Sequence, residues 1–126
     1  MIAIVDADVL IDVVKGNPAA ISALAEARAV GIRLWSITPV RAEILRGVFG
    51  NEIPPATGLL DALEWLDVDA DLADRAGEIG RPFVRSHQSI SITDLLLAAA
   101  VDRLAGQLLT RNVRHFPMFP GLRPAY

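Results

Sequence analysis

Apolar and polar positions along the chain alternate between two periods. Ile2 to Val5 is an unbroken apolar run that ends at an acid, the pattern of a strand buried on both faces in a parallel sheet. From Asp8 the apolar positions Val9, Leu10, Val13 and Val14 switch to helical spacing, with Asp8 expected as N-cap and Gly16-Asn17-Pro18 as the stop. A helix is predicted over 18–30, a strand over 33–37 (RLWSI), and a helix from about 38 to 49 with Thr38 as its N-cap and Pro39 at its first position. Residues 51–55 read as a loop, about 56–64 as a helix, 65–68 as a strand and about 71–84 as an amphipathic helix. After a polar stretch over 81–90, Ser91 opens an apolar helix to about Leu104, Gly106 ends it, and 107–110 reads as a strand. The tail carries Pro117, Pro120 and Pro124 and is expected to hold one helical turn and a weak last strand near Leu122. Trp35, Trp65 and Phe83 are expected in the core.

Short strands alternating with helices define an α/β domain with a parallel sheet covered on both sides. At 126 residues the chain is read as one domain over 1–126. With 52% hydrophobic and 21% charged residues it buries enough apolar surface to offset the entropy of ordering, which excludes intrinsic disorder and leaves apolar surface over. The absence of cysteine excludes disulfides, thiolate metal sites and cysteine nucleophiles. Asp6 and Asp8 interrupt any signal-peptide pattern, and the longest uncharged apolar run, Leu95 to Val101, falls far short of a membrane span, so a soluble cytoplasmic protein is expected. A formal charge of −3 argues against a general nucleic-acid coating protein. Eleven of the twelve basic residues are arginine, a side chain suited to phosphate contacts.

Ligands of an open α/β sheet bind at the carboxyl ends of its strands, so the residues just beyond each strand carry the candidate chemistry. Asp6 follows the first strand, Glu43 lies in the helix after the second, Asp94 in the first turn of the helix before the fourth, and Thr110-Arg111-Asn112 after the fourth. Converging carboxylates repel one another unless a cation sits among them, and oxygen donors without cysteine favour Mg²⁺ or Mn²⁺ over Zn²⁺. Each acid also has a structural explanation. Asp6 has the fewest, since no basic residue lies near it in sequence and a buried unpaired carboxylate is costly. Glu43 is equally placed to pair with Arg46; Asp94 with Ser91 forms a capping-box spacing; Asp8 and Asp12 suit a helix start. Asn112 suits the cap of a short turn over 113–116, and His115 a surface position.

Taken together, IVDADVLID, TPVRAEILRG, SITDLLLAAA and LLTRNVRHF, in that order over nearly the whole chain, resemble the PIN-domain ribonucleases, specifically the VapC toxins of type II toxin–antitoxin pairs. The resemblance implies a PIN-like three-layer α/β/α sandwich around a mostly parallel five-stranded sheet, and metal-dependent endonucleolytic cleavage of RNA. It aligns Asp6, Glu43 and Asp94 with the family's metal-binding acids. It further implies a homodimer and a VapB-like antitoxin whose amphipathic segment occupies an apolar groove, and no membrane partner. On this reading Asp6, Glu43, Asp94 and Asn112 are catalytic, Thr110 and Asp8 support them, and Arg111 and Arg114 hold the RNA backbone.

Two motifs depart from the family pattern: in the first, Asp8 stands where Asn is usual, and in the last, Asn112 and His115 stand where a fourth acid is often supplied. An asparagine carbonyl orients water or metal but neutralises no charge, so a second metal is expected to bind weakly if at all. Two alternatives remain at this stage. One is a PIN scaffold with a weakened site that only binds RNA or a partner. The other is a haloacid-dehalogenase-type phosphatase, which Asp6-Ala-Asp8-Val9 also resembles, although such enzymes need a late lysine and the sole lysine is Lys15.

Overall fold

The computed structural model describes residues 1–126. Four strands, β1 (Ile2–Val5), β2 (Arg33–Ile37), β3 (Glu64–Leu66) and β4 (Gln107–Leu109), form one all-parallel sheet in the order β3-β2-β1-β4. Ile4 faces Trp35 on one side and Leu108 on the other, so β1 is central. Ala3, Ile4 and Val5 are fully buried, as an apolar run without alternation requires of a strand covered on both faces.

Six α-helices surround the sheet: α1 (Ala7–Val14), α2 (Pro18–Ala29), α3 (Thr38–Gly47), α4 (Ile53–Ala62), α5 (Ala70–Gly80) and α6 (Ile92–Leu104). Helices α1 to α4 pack among themselves; α6 lies against β1, β2 and β4 and packs along α5. No helix is long and apolar enough to cross a membrane. Gly106 lets α6 turn into β4 beside β1, since a Cβ there would stand 2.9 Å from the Ile2 carbonyl oxygen.

The sheet has four strands where five were expected. The segment near Leu122 forms no strand; its contribution to the sheet edge is one backbone hydrogen bond, from Ala125 N–H to the Thr110 carbonyl at 2.8 Å. Pro120 and Pro124 flank this segment, and residues lacking an N–H cannot extend a ladder.

Helix starts also differ from expectation. The N-cap of α1 is Asp6, whose Oδ1 accepts from Ala7 N–H at 2.7 Å; Asp8 already lies in the first turn. Thr38 is likewise inside α3, capped by Ile37 without a side-chain bond. In both cases the strand passes into the helix with at most one linking residue. Helix α4 begins at Ile53 because Pro54 and Pro55 fall in its first turn, where no N–H is needed. Helix α5 ends at Gly80 and gives way to a 3-10 turn, Arg81–Phe83. Trp35 and Trp65 pack half-buried against the core; Phe83 lies outside it, lining a small cleft with Val84, Ile90 and Ile92.

Candidate active site

In the order β3-β2-β1-β4 the chain leaves β1 toward β2 on one side and returns to β4 on the other, so the sheet's switch point is the crevice between the carboxyl ends of β1 and β4. Asp6 N–H donates to the Leu109 carbonyl at 2.9 Å and closes the floor of that crevice. A pocket of about 300 Å³ opens above it. Asp6, Asp8, Glu43 and Asp94 line it together with Asn112 and His115, so residues from four separate sequence segments meet there.

Asp6 is 8% exposed and Thr110 fully buried beneath it. The Thr110 hydroxyl donates to Asp6 Oδ2 at 2.8 Å and accepts from Asn112 N–H at 3.0 Å. Burial, reinforced by the neighbouring Asp8, raises the Asp6 carboxyl from the ordinary 3.8 to about 7, against the opposing bonds from Thr110 and Ala7; Asp94 adds to the rise.

Asp94 and Ser91 form a reciprocal capping box, with Ser91 N–H donating to Asp94 Oδ2 at 2.9 Å and Asp94 N–H to the Ser91 hydroxyl at 3.1 Å. Capping does not exhaust the carboxylate. Asp94 is 8% exposed, its Oδ1 has no hydrogen-bond partner, and it faces the same pocket as Asp6. Glu43 does not pair with Arg46; its carboxylate is without an ion pair and projects from α3 toward the pocket.

Asp8 Oδ2 accepts Arg111 N–H at 2.9 Å, tying α1 to the segment after β4. Arg111 itself turns away: its Nη1 donates to Asp12 at 3.1 Å and its guanidinium lies 5.2 Å from the Tyr126 ring centroid. Tyr126 donates its hydroxyl to the same Asp12 oxygen at 2.6 Å, which with burial holds the phenol above its ordinary pKa. Asp12 thus anchors the tail and Arg111. Arg114, in the 3-10 turn Val113–His115, is exposed and lines a neighbouring cavity.

His115 is the residue that sequence reasoning assigned to the surface. Its Nδ1 lies 3.1 Å from Asp94 Oδ2 and 3.0 Å from the Asn112 side-chain amide. A single Nδ1–H donated toward both is consistent with these contacts when Asn112 turns its carbonyl oxygen to the ring. The substitution of His for an acid three residues after Asn112 was the available signal, because Asn112 and His115 fall on one side of the 3-10 turn Val113–His115.

No lysine or arginine side chain lines the carboxylate pocket. Its donors are hard oxygens, two of them on carboxylates nine-tenths buried, a set that suits Mg²⁺ or Mn²⁺. The carboxylates line one pocket without being gathered: no three Asp, Glu or His side chains surround a single ion position.

The PIN-domain family profile matches residues 3–119, and the chain belongs to that family, within its VapC group. Over 123 residues it is 37% identical to ribonuclease VapC19 of Mycobacterium tuberculosis, covering 98% of each chain. It is equally 37% identical to ribonuclease VapC10 of the same organism, covering 98% of this chain and 92% of that one. In fold it is similar to a toxin–antitoxin complex from Klebsiella pneumoniae (TM-score 0.80, 21% identity, 98% of each chain). It is also similar to VapBC-1 from nontypeable Haemophilus influenzae (TM-score 0.76, 23% identity, 98% and 96% of the two chains).

Proposed function

We propose that the chain is a VapC-type endoribonuclease, the toxin of a toxin–antitoxin pair, cutting RNA phosphodiester bonds at the crevice between β1 and β4. The observation that carries this reading is the pocket at the sheet's switch point, which Asp6, Glu43 and Asp94 all line and no lysine or arginine enters. Its 37% identity to two mycobacterial VapC ribonucleases over almost the full chain supports the same activity. The single domain, the cytoplasmic setting, a homodimer and a VapB-like antitoxin belong to this reading.

Asp6, Asp94 and Glu43 would hold one Mg²⁺ or Mn²⁺. The bound ion supplies charge neutralisation at the phosphate and acidifies water for in-line attack. Glu43 would reach such an ion through its flexible side chain, since it lines the same pocket as Asp6 and Asp94. Thr110 fixes the Asp6 carboxylate from below and keeps it more acidic than burial alone allows. Asn112 and His115 orient Asp94 from the far wall. Asp8 positions the segment after β4 through Arg111 N–H. Arg114 contacts RNA phosphate. Arg111, tied to Asp12 and Tyr126, serves RNA only by exchanging those partners.

The test is incubation of the purified protein with a mixed RNA pool. Cleavage is expected with Mg²⁺ or Mn²⁺ and none with chelator; cleavage unaffected by chelator excludes the metal, and none under any condition excludes the nuclease. Thr110→Val probes the same geometry with little change of shape. Loss of the hydroxyl leaves Asn112 N–H and one Asp6 oxygen unpartnered, costing about 1–3 kcal/mol in a urea unfolding midpoint. Because the Thr110 bond lowers the Asp6 pKa, its removal moves the acid limb of the pH–rate profile upward.

A further inference from the structure

Beside the carboxylate pocket lies a second cavity of about 600 Å³, within the range of roughly 300–1,000 Å³ typical of ligand sites. It sits between the loop that follows the 3-10 turn Arg81–Phe83 and the turn Val113–His115. The two cavities share Ser89 and His115, so they adjoin. Their chemistry is opposite. The first is lined by carboxylates and no basic side chain but His115, whereas Ser86, His87, Gln88, Ser89, Arg114 and His115 line the second, without any carboxylate.

We propose that this second cavity is a nucleotide subsite, holding the unpaired base and phosphate next to the bond being cut. The proposal rests on the nuclease reading and adds specificity-determining residues to it: His87 and Gln88 read the base that flanks the cut, and Arg114 holds its phosphate. A phosphodiester strand crossing the acidic pocket places its next phosphate and base about one nucleotide away, where the lining turns cationic and polar. Arg114 supplies the charge for that phosphate. His87 supplies a ring for the base; its imidazole is held edge-on to Phe83 at 5.4 Å and its Nδ1 is bonded to the Ser86 hydroxyl at 2.7 Å. A ring fixed on two sides stacks on a base with little further ordering cost. Gln88 carries an exposed amide with no internal partner, able to donate to and accept from a base edge. Duplex RNA buries both the face and the edge these groups address, which restricts the subsite to unpaired nucleotides.

The test uses the full chain carrying Asp6→Asn, which binds without cutting, and two probes measured by fluorescence anisotropy. One is a short single-stranded RNA pool of random sequence; the other is an abasic ribose-phosphate strand of equal length. His87→Ala and Gln88→Ala are expected to weaken the RNA pool roughly five-fold or more and to leave the abasic strand unchanged, whereas Arg114→Ala weakens both. In the active background, His87→Ala and Gln88→Ala raise KM, leave kcat largely intact and relax the base preference at the cut. Unchanged binding and unchanged cut-site preference in both variants overturn the subsite. A parent protein that cuts no RNA but shows the expected binding pattern overturns the nuclease reading and leaves the subsite standing. Equal weakening of RNA and abasic strand by all three variants also overturns base recognition, leaving a phosphate-binding surface only.

Discussion

Asp6→Asn is expected to reduce RNA cleavage to background, roughly a thousand-fold or more, because the change removes the charge nearest the floor of the site. The fold tolerates it. The amide oxygen can still accept Ala7 N–H, and the amide nitrogen can donate to Thr110, whose hydroxyl then turns to Asp8 Oδ2, already 3.4 Å away. Stability should move in the opposite direction to activity. In the unfolded chain Asp6 loses its proton near 3.8, while in the folded, metal-free protein it keeps it until about 7. The folded state binds the extra proton between those values, so stability falls as pH rises from about 4 to about 7 and is flat above. The difference amounts to about 4 kcal/mol. Asparagine cannot ionise, so the variant should show a higher urea midpoint than the parent at pH 8 without metal, and the gap should close toward pH 4. Adding Mg²⁺ should stabilise the parent and not the variant. An Asp6→Asn protein that cuts RNA at the parental rate, in a preparation free of other nucleases, removes Asp6 from the mechanism.

Phe116→Ala should produce the largest loss of stability, about 3–5 kcal/mol. Phe116 is 1% exposed, the bulkiest of the fully buried side chains, and stacks on Phe119 with ring centroids 6.4 Å apart. It anchors the 3-10 turn Val113–His115, closing it with its own N–H on the Val113 carbonyl at 3.0 Å. Truncation leaves a cavity under the wall of the site. A fall in melting temperature on the order of 10–20 °C is expected, and cleavage should drop even well below the new midpoint, as Asn112 and His115 lose their footing. Phe116→Leu, which refills most of the space, should recover much of both; a melting temperature within a few degrees of the parent for the alanine variant contradicts the anchoring role.

The strands and helices were legible because their apolar spacing is a local property: Ile2 to Val5 reads as a doubly covered strand wherever it is placed. The three acids were legible by position, each just beyond a strand or in the first turns of a helix. Their meeting in one crevice follows from the strand order β3-β2-β1-β4. The fifth strand was misjudged because a weak apolar run between prolines does not announce how few of its N–H groups find a partner. His115 was misjudged for a related reason. A polar side chain in an irregular tail reads as surface until its neighbours are known, and its neighbour, Asp94, lies on α6 across the pocket. Asp94 carried two readings that looked like rivals, cap and ligand; capping uses Oδ2 and leaves Oδ1 without a hydrogen-bond partner, so the cap does not exclude the ligand.

The sequence by itself determined the alternating elements, the set of acids and their order, because covalent neighbours and local periodicity are enough to define them. Only the tertiary structure decided which oxygens remain free, how far burial raises Asp6, and that a cavity lined by Arg114 and free of carboxylates adjoins the acidic one. Those depend on distances between residues far apart in the chain, such as Thr110 and Asp6, 104 positions apart in numbering, and on the water that packing excludes.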